Sequence, residues 1–282
     1  MSSNNNDDAV DEESSRETLK PWSDRWKKRR IGFHLKDVNP ALAKHAASML
    51  PDNQEAETCS NAAATTATTR IFVPLCGKAI DMAYLATSLS SSNHKIEVLG
   101  LEGIRIALEE FIDEQPTLNI SKEALAATEQ VPFDRFVGET VSLWKGDYFD
   151  LSKFETSIGT FEAIYDRASI VAIEPEMRQQ YVQILDSLLQ TGGKILMVAL
   201  ERVASPDNLE AAKKGPPHSI PESTIRELFS SLETETHSYQ VETLQVTDQL
   251  EENPQDRERY KGLDQLLETV YLIRKEIKEI GS

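Results

Sequence analysis

Ile71-Phe72-Val73-Pro74-Leu75-Cys76-Gly77-Lys78 decides the reading of this chain. A short apolar run ends in a small turn that contains glycine, and residues 79–86 follow at once as a helix-like stretch. Ile80, Ala83 and Tyr84 fall at i, i+3 and i+4, the spacing of one helix face. The pattern reads as buried strand, tight turn, amphipathic helix, which is the opening unit of a doubly wound α/β domain. Ligands of such domains sit at the C-terminal ends of the strands. Gly77 lets the backbone approach a bound molecule closely, although the same turn also suits an ordinary strand-to-helix connection that binds nothing.

The alternation continues downstream. Residues 95–102 read as a second strand closing on Glu102, where an acid can bind the two hydroxyls of a ribose or simply stand in solvent. A helix follows over residues 103–115. Phe136-Val137 and Val141-Ser142-Leu143-Trp144 are β-like, with Gly138 as the turn between them. Asp147, in the turn-like stretch after them, can accept hydrogen bonds from an amino group such as that of adenine, or cap the next turn. Residues 161–166 form a further strand. Asp166 and Arg167 leave its end, where this fold places chemistry; a local ion pair is the plainer alternative. Pro175 opens a helix over residues 176–189. The near-continuous apolar run 194–200 suits a central buried strand. Gly215-Pro216-Pro217 marks a loop, residues 221–229 a short helix, and residues 239–246 and 269–273 the last two strands. Between those strands lies a charged stretch, 253–261, carrying Arg257 and Arg259.

Upstream of the first strand, residues 1–20 are polar and acid-rich and read as a disordered tail. Trp22 and Trp26 lie four apart and share one face of a helix. They can be core packing, or an aromatic lid over a site that stacks on a cation or a heterocycle. Residues 39–50 hold a second helix. Residues 51–70 are rich in Ala, Thr, Asn and Glu and read as a flexible loop.

The 282-residue chain carries a formal net charge of -17. Nucleic acid and anionic membrane surfaces are poor partners for such a chain, and no apolar run approaches the ~20 residues that span a bilayer. The N-terminus has neither the basic region nor the apolar core of a signal peptide. Cys59 and Cys76 make no disulfide framework and no metal cluster, and no His pairs with Cys or acids at ligand spacing, so no metal is expected. Cytoplasm is the expected location.

No G-x-G-x-x-G follows the first strand, which disfavours a dehydrogenase, and there is neither a P-loop nor a G-x-S-x-G elbow. What remains is a nucleoside-type pocket with an acid at the second strand and aromatics over it. Four stretches then carry a family resemblance: Trp22-Ser23-Asp24-Arg25-Trp26 through Phe33-His34; Val73-Pro74-Leu75-Cys76-Gly77-Lys78-Ala79; Leu99-Gly100-Leu101-Glu102; and Tyr165-Asp166-Arg167-Ala168-Ser169-Ile170-Val171-Ala172-Ile173. Gly215-Pro216-Pro217 and the closing run 262–272 also match. The chain resembles the thiopurine S-methyltransferases, class I enzymes that use S-adenosylmethionine.

The resemblance implies a Rossmann-like, mostly parallel seven-stranded sheet with helices on both faces and the last strand inserted antiparallel. It implies one methyltransferase domain over residues 21–282, with residues 21–50 as a lid, and a monomer. It places Trp22, Trp26, Phe33, Leu75, Gly77, Glu102, Asp147, Tyr148 and Arg167 around S-adenosylmethionine. Phe33, Arg167, His218 and Arg257 fall to the methyl acceptor, and Arg167 with Asp166 to the reaction. The expected acceptor is a small thiol, thiopurine-like or otherwise aromatic. Three features depart from the family pattern: Asp147 replaces a serine and His218 an aromatic of animal members, and the insertion over residues 51–70 is longer than usual. Residues 173–178 also resemble plant thiol and halide methyltransferases, so thiol, halide, selenium or tellurium acceptors stay open. A nicotinamide oxidoreductase and a non-catalytic cofactor-binding module are the readings from other classes.

Overall fold

A computed structural model describes residues 18–51, 67–123, 132–154 and 158–278. The expected tail falls almost wholly outside the described residues, as do Cys59 and most of the expected loop, whose residues 67–70 instead open the first strand. The backbone of the fold is a nine-stranded sheet in the order β3-β4-β5-β2-β1-β6-β7-β9-β8. Its strands are β1 (Ala67–Val73), β2 (His94–Glu102), β3 (Ser121–Lys122), β4 (Asp134–Val137), β5 (Val141–Lys145), β6 (Phe161–Arg167), β7 (Leu189–Ala204), β8 (His237–Asp248) and β9 (Leu263–Ile277).

The expected seven strands are present as β5-β2-β1-β6-β7-β9-β8. β5 through β7 pair in parallel, and β9 inserts antiparallel between β7 and β8. The count is corrected to nine because β3 and β4 extend the outer edge of β5 as antiparallel neighbours. That extension follows from the Gly138 turn read in the sequence, whose amide closes on the carbonyl of Val141 at 3.0 Å.

β1 is flanked on both sides, so both of its faces need apolar cover. Ile71 and Val73 enter one core with Met82 and Leu85 of α3 (Asp81–Ser88), Leu108 and Phe111 of α4 (Arg105–Glu114), and Leu42 of α2 (Pro40–His45). Phe72 points to the opposite face. There it meets Tyr181, Val182 and Leu185 of α5 (Arg178–Leu188), in a core shared with Ile225 and Phe229 of a helix at Glu222–Ser230. The helices are thus split between two faces, as the α/β alternation requires.

Several boundaries shift from expectation; β1 begins at Ala67, four residues before its apolar run, and β7 spans Leu189–Ala204, longer than the expected 194–200. The helix after β1 begins at Asp81 because residues 74–80 form a longer turn. The last strand begins at Leu263, six residues before its apolar run. Its early residues pair with the outer end of β7 beyond the main core, around a small apolar cluster of Ala211, Leu250, Leu263 and Leu266. The strand order reverses at β1, which stands between β2 and β6. A ligand crevice belongs at the carboxyl ends of those strands.

Candidate functional site

The crevice is a cavity of about 1030 Å³. Its floor is built by the turns that leave β1, β2 and β6. Leu75 and Gly77 after β1 have φ of 45° and 54°, and Ala168 after β6 has φ of 62°. All three line the cavity. Leu75 and Ala168 occupy the left-handed region without being glycine, a conformation costing roughly 1–2 kcal/mol per residue. It persists only where the surroundings impose it. Here the two turns are tied to each other: the Ser169 hydroxyl donates to the carbonyl of Pro74 at 2.7 Å.

Glu102 closes β2 and joins the turns from the other side. Its carboxylate accepts from the Gly77 amide at 2.9 Å and from the Ile104 amide at 2.8 Å. A buried carboxylate, 8% exposed, is thereby held by backbone donors at the cavity wall. Gly77 has a positive φ, the backbone region that glycine adopts without strain, and lies beside the Trp26 ring.

Asp147 and Tyr148 follow β5. Asp147 caps the next short turn by accepting from the Phe149 amide at 3.0 Å, the capping role read from the sequence, and it lines the cavity. Tyr148 is buried, stacks on Tyr181 at 4.6 Å and donates to the carbonyl of Tyr181. Burial pushes its phenol well above the usual range. It contributes a ring to the cavity and no proton.

The N-terminal segment lies over this floor. α1 (Lys20–Lys27) presents Trp22 and Trp26 on one face, as their spacing predicts. Trp26 is buried against Ile104 and Ala107, while Trp22 and Trp26 meet Phe33 edge-on at 5.7 and 5.9 Å. Trp26 is thus core packing, and Trp22, Trp26 and Phe33 line the cavity. The roof is anchored by charge. Arg29 pairs with Glu110, and Lys78 with Glu110 and Glu114. Arg167, at the end of β6, donates to the carbonyl of Phe33 at 2.8 Å. Asp81 joins roof to floor as well, accepting from the Asn39 amide at 2.8 Å and the Tyr165 hydroxyl at 3.1 Å.

Three expected residues do not line the cavity. Asp166 is fully buried beneath it, accepting from the Tyr181 hydroxyl at 2.8 Å and the Ile170 amide at 3.2 Å. Strand alternation accounts for this: Arg167 and Asp166 are successive, so they point to opposite sides. Asp166 braces the strained turn from below and does not line the cavity. His218 pairs with Glu174 and packs against Gly215, leaving Pro216 and Pro217 to reach the cavity. Arg257 ends a short 3-10 turn, Pro254–Arg257, and is exposed; the arginine of this stretch that lines the cavity is Arg259.

Sequence reasoning missed Asp81, Arg259, Tyr260 and Glu268, all of which line the cavity. Asp81 carried a signal, an acid in the first helical turn after the glycine. Glu268 carried little, because the apolar run that marks β9 starts one residue later.

Burial pushes the Asp166 carboxyl up to about 6, against the opposing pull of Tyr181, Ile170 and Ser169. A group whose native pKa lies above its unfolded value stabilises most at low pH, and loses that contribution as pH rises through the native pKa. Wild-type stability relative to Asp166→Asn should therefore fall between about pH 4 and 6 and level off above. Urea melts across that range check it; a difference independent of pH refutes the assignment.

Comparison with known proteins places this geometry. The sequence model of the family described as Thiopurine S-methyltransferase matches residues 17–276. A thiopurine S-methyltransferase of Aliivibrio fischeri is 34% identical over 252 residues, covering 89% of this chain and 97% of that protein. One from Methylococcus capsulatus is 35% identical over 253 residues, covering 90% and 96%. Among solved structures, a phosphoethanolamine N-methyltransferase of Haemonchus contortus in complex with S-adenosyl-L-methionine superposes with a TM-score of 0.54 at 11% identity, covering 95% of this chain and 59% of that one. An arsenic(III) S-adenosylmethionine methyltransferase of Chlamydomonas reinhardtii gives 0.50 at 13% identity, covering 87% and 76%. At those identities the likeness is one of fold.

Proposed function

Because the chain belongs to the thiopurine S-methyltransferase family, we propose that it transfers the methyl group of S-adenosylmethionine to the sulfur of a thiopurine or another heterocyclic or aromatic thiol. The observation that carries this reading is the pairing of Glu102 and Arg167 across one roofed cavity. An acid held by two backbone amides stands at the ribose end, and a guanidinium stands between that end and the far wall.

The residues fit the cofactor. Glu102 offers its carboxylate to ribose hydroxyls, Asp147 sits one strand over for an amino group, and Tyr148 and Phe149 flank that position. Leu75, Gly77 and Trp26 bring backbone and ring close around the nucleoside. When bound, S-adenosylmethionine supplies an electrophilic methyl on a sulfonium centre.

The protein's own contribution is placement and dryness. The α1 segment with Phe33 closes over the cavity and excludes water. Exclusion favours a step in which a cationic donor and an anionic acceptor both lose charge, because hydration stabilises the separated ions more than the products. The Arg167 guanidinium is a cation and favours the sulfur in its anionic form. Holding methyl and sulfur in line at roughly 3–3.5 Å supplies the rest of the advantage. No strong base is needed for an acceptor thiol of low pKa.

The location proposed is the cytoplasm and the active form a monomer; the absence of any long apolar helix among the described residues is compatible with this. The decisive experiment measures S-adenosylhomocysteine release with 6-mercaptopurine, thiophenol, sulfide, selenite and iodide in parallel. Turnover on the two ring thiols is expected. Turnover confined to sulfide, selenite or iodide moves the chain to the small-acceptor reading.

A further inference from the structure

The far wall of the cavity is a row across three strands. Glu268 of β9 stands in register with Leu200 of β7 on one side and Thr247 of β8 on the other. All three line the cavity, and Leu266, two residues earlier on β9, does so too. Glu268 is the charged member of that row. Its carboxylate has no hydrogen-bond or ion-pair partner among the described residues, and its electrostatic neighbours are the Arg167 guanidinium and the Tyr165 phenol. Burial pushes it above the usual carboxylate range, and Arg167 only partly offsets this.

Three other acids of the cavity already accept from the protein, and half-buried Asp256, which also lines it, stands on a short 3-10 turn and not on a strand. Asp81 holds Asn39 and Tyr165, Glu102 holds Gly77 and Ile104, and Asp147 holds Phe149. Glu268 is also fixed on a strand paired on both sides, which makes its position rigid. A carboxylate without a partner in a partly dry wall wants a donor, and a guanidinium beside it wants an acceptor. A ring that presents N–H next to C=S supplies both at neighbouring atoms.

Resting on the methyl-transfer reading above, we propose that Glu268 is the proton acceptor for acceptors of the thioamide class, heterocyclic thiones with an N–H beside the C=S carbon. In the step, the acceptor's sulfur forms its bond to the methyl carbon while the methyl–sulfonium bond breaks, its electron pair staying on the donor sulfur. The acceptor's N–H bond breaks toward Glu268, and its electrons form the ring C=N as the C=S becomes C–S. The ring leaves as a neutral methyl thioether, and Glu268 later returns the proton to water. Acceptors that enter as thiolates have no such proton to lose and make no use of Glu268.

The test compares kcat/KM for 6-mercaptopurine, held at a pH where its thione predominates, with that for 4-nitrothiophenolate in wild type, Glu268→Gln and Glu268→Asp. The thione-to-thiolate ratio is expected to fall on the order of 10²-fold in Glu268→Gln, the scale of one positioned acid–base group, and to recover partly in Glu268→Asp. S-Adenosylhomocysteine affinity, measured by calorimetry, should stay at the wild-type value and certifies folded protein. An unchanged ratio, or a wild type that methylates the thiolate and not the thione, overturns the role of Glu268 alone. A wild type that methylates neither overturns the methyl-transfer reading, and with it this one.

Discussion

Replacing Arg167 with alanine is expected to lower kcat/KM for methyl transfer by roughly two orders of magnitude and to lower the melting temperature by several degrees without unfolding the protein. Two losses combine. The guanidinium donates to the carbonyl of Phe33, and a charged hydrogen bond of this kind is worth about 1.5–3 kcal/mol, a factor of about 10 to 100. Removing it loosens the aromatic roof and admits water. The variant also removes the cation that favours an anionic sulfur. The fold should survive, because Arg167 lies beyond the apolar part of β6 and the turn below is held by Asp166 and Ser169. Arg167→Lys keeps the charge without the planar fork and should fall in between. Wild-type turnover in Arg167→Ala would remove this residue from the mechanism; an unfolded variant would make it structural.

Glu102→Ala should abolish measurable cofactor binding at micromolar concentration, an affinity loss of about 100-fold or more, and should also destabilise the protein. The second effect distinguishes Glu102 from an ordinary ribose ligand. Its two oxygens satisfy amides from two different turns, and truncation leaves both donors without partners. Orphaning a buried polar group costs about 1–3 kcal/mol, so the pair predicts a melting temperature lower by roughly 5–10 °C. Glu102→Gln retains one accepting oxygen and should recover part of the stability but little of the affinity. Calorimetry with S-adenosylhomocysteine and a thermal melt of both variants check this. Wild-type affinity in Glu102→Ala would make the carboxylate a purely structural tie.

These predictions rest on residues of unequal legibility. Glu102 and Gly77 were readable because a period-2 apolar run ending in an acid, or in a glycine, is a local pattern. Trp22 and Trp26 were readable as sharing a face for the same reason, since four residues make about one helical turn. Arg167 was readable as a strand-end residue, and its partner was not: the carbonyl of Phe33 lies 134 positions away. The sheet order was legible in outline, with its antiparallel insertion supplied by family likeness. The edge strands β3 and β4 were missed as part of the sheet, because short strands owe their pairing to neighbours more than to propensity.

The sequence by itself therefore determined the α/β class, the crevice at β1, and the residues that end the central strands, because each is written in contiguous periodicity and turn chemistry. Tertiary structure alone decided which acids still have an open hand. Asp166 and Arg167 are adjacent in sequence, yet the pleat sends one under the floor and the other into the cavity. Arg257 and Arg259 are two apart, and the course of a short 3-10 turn selects Arg259. Glu268 became a site residue only when β9 paired between β7 and β8, since register is a contact between distant segments that no local pattern encodes.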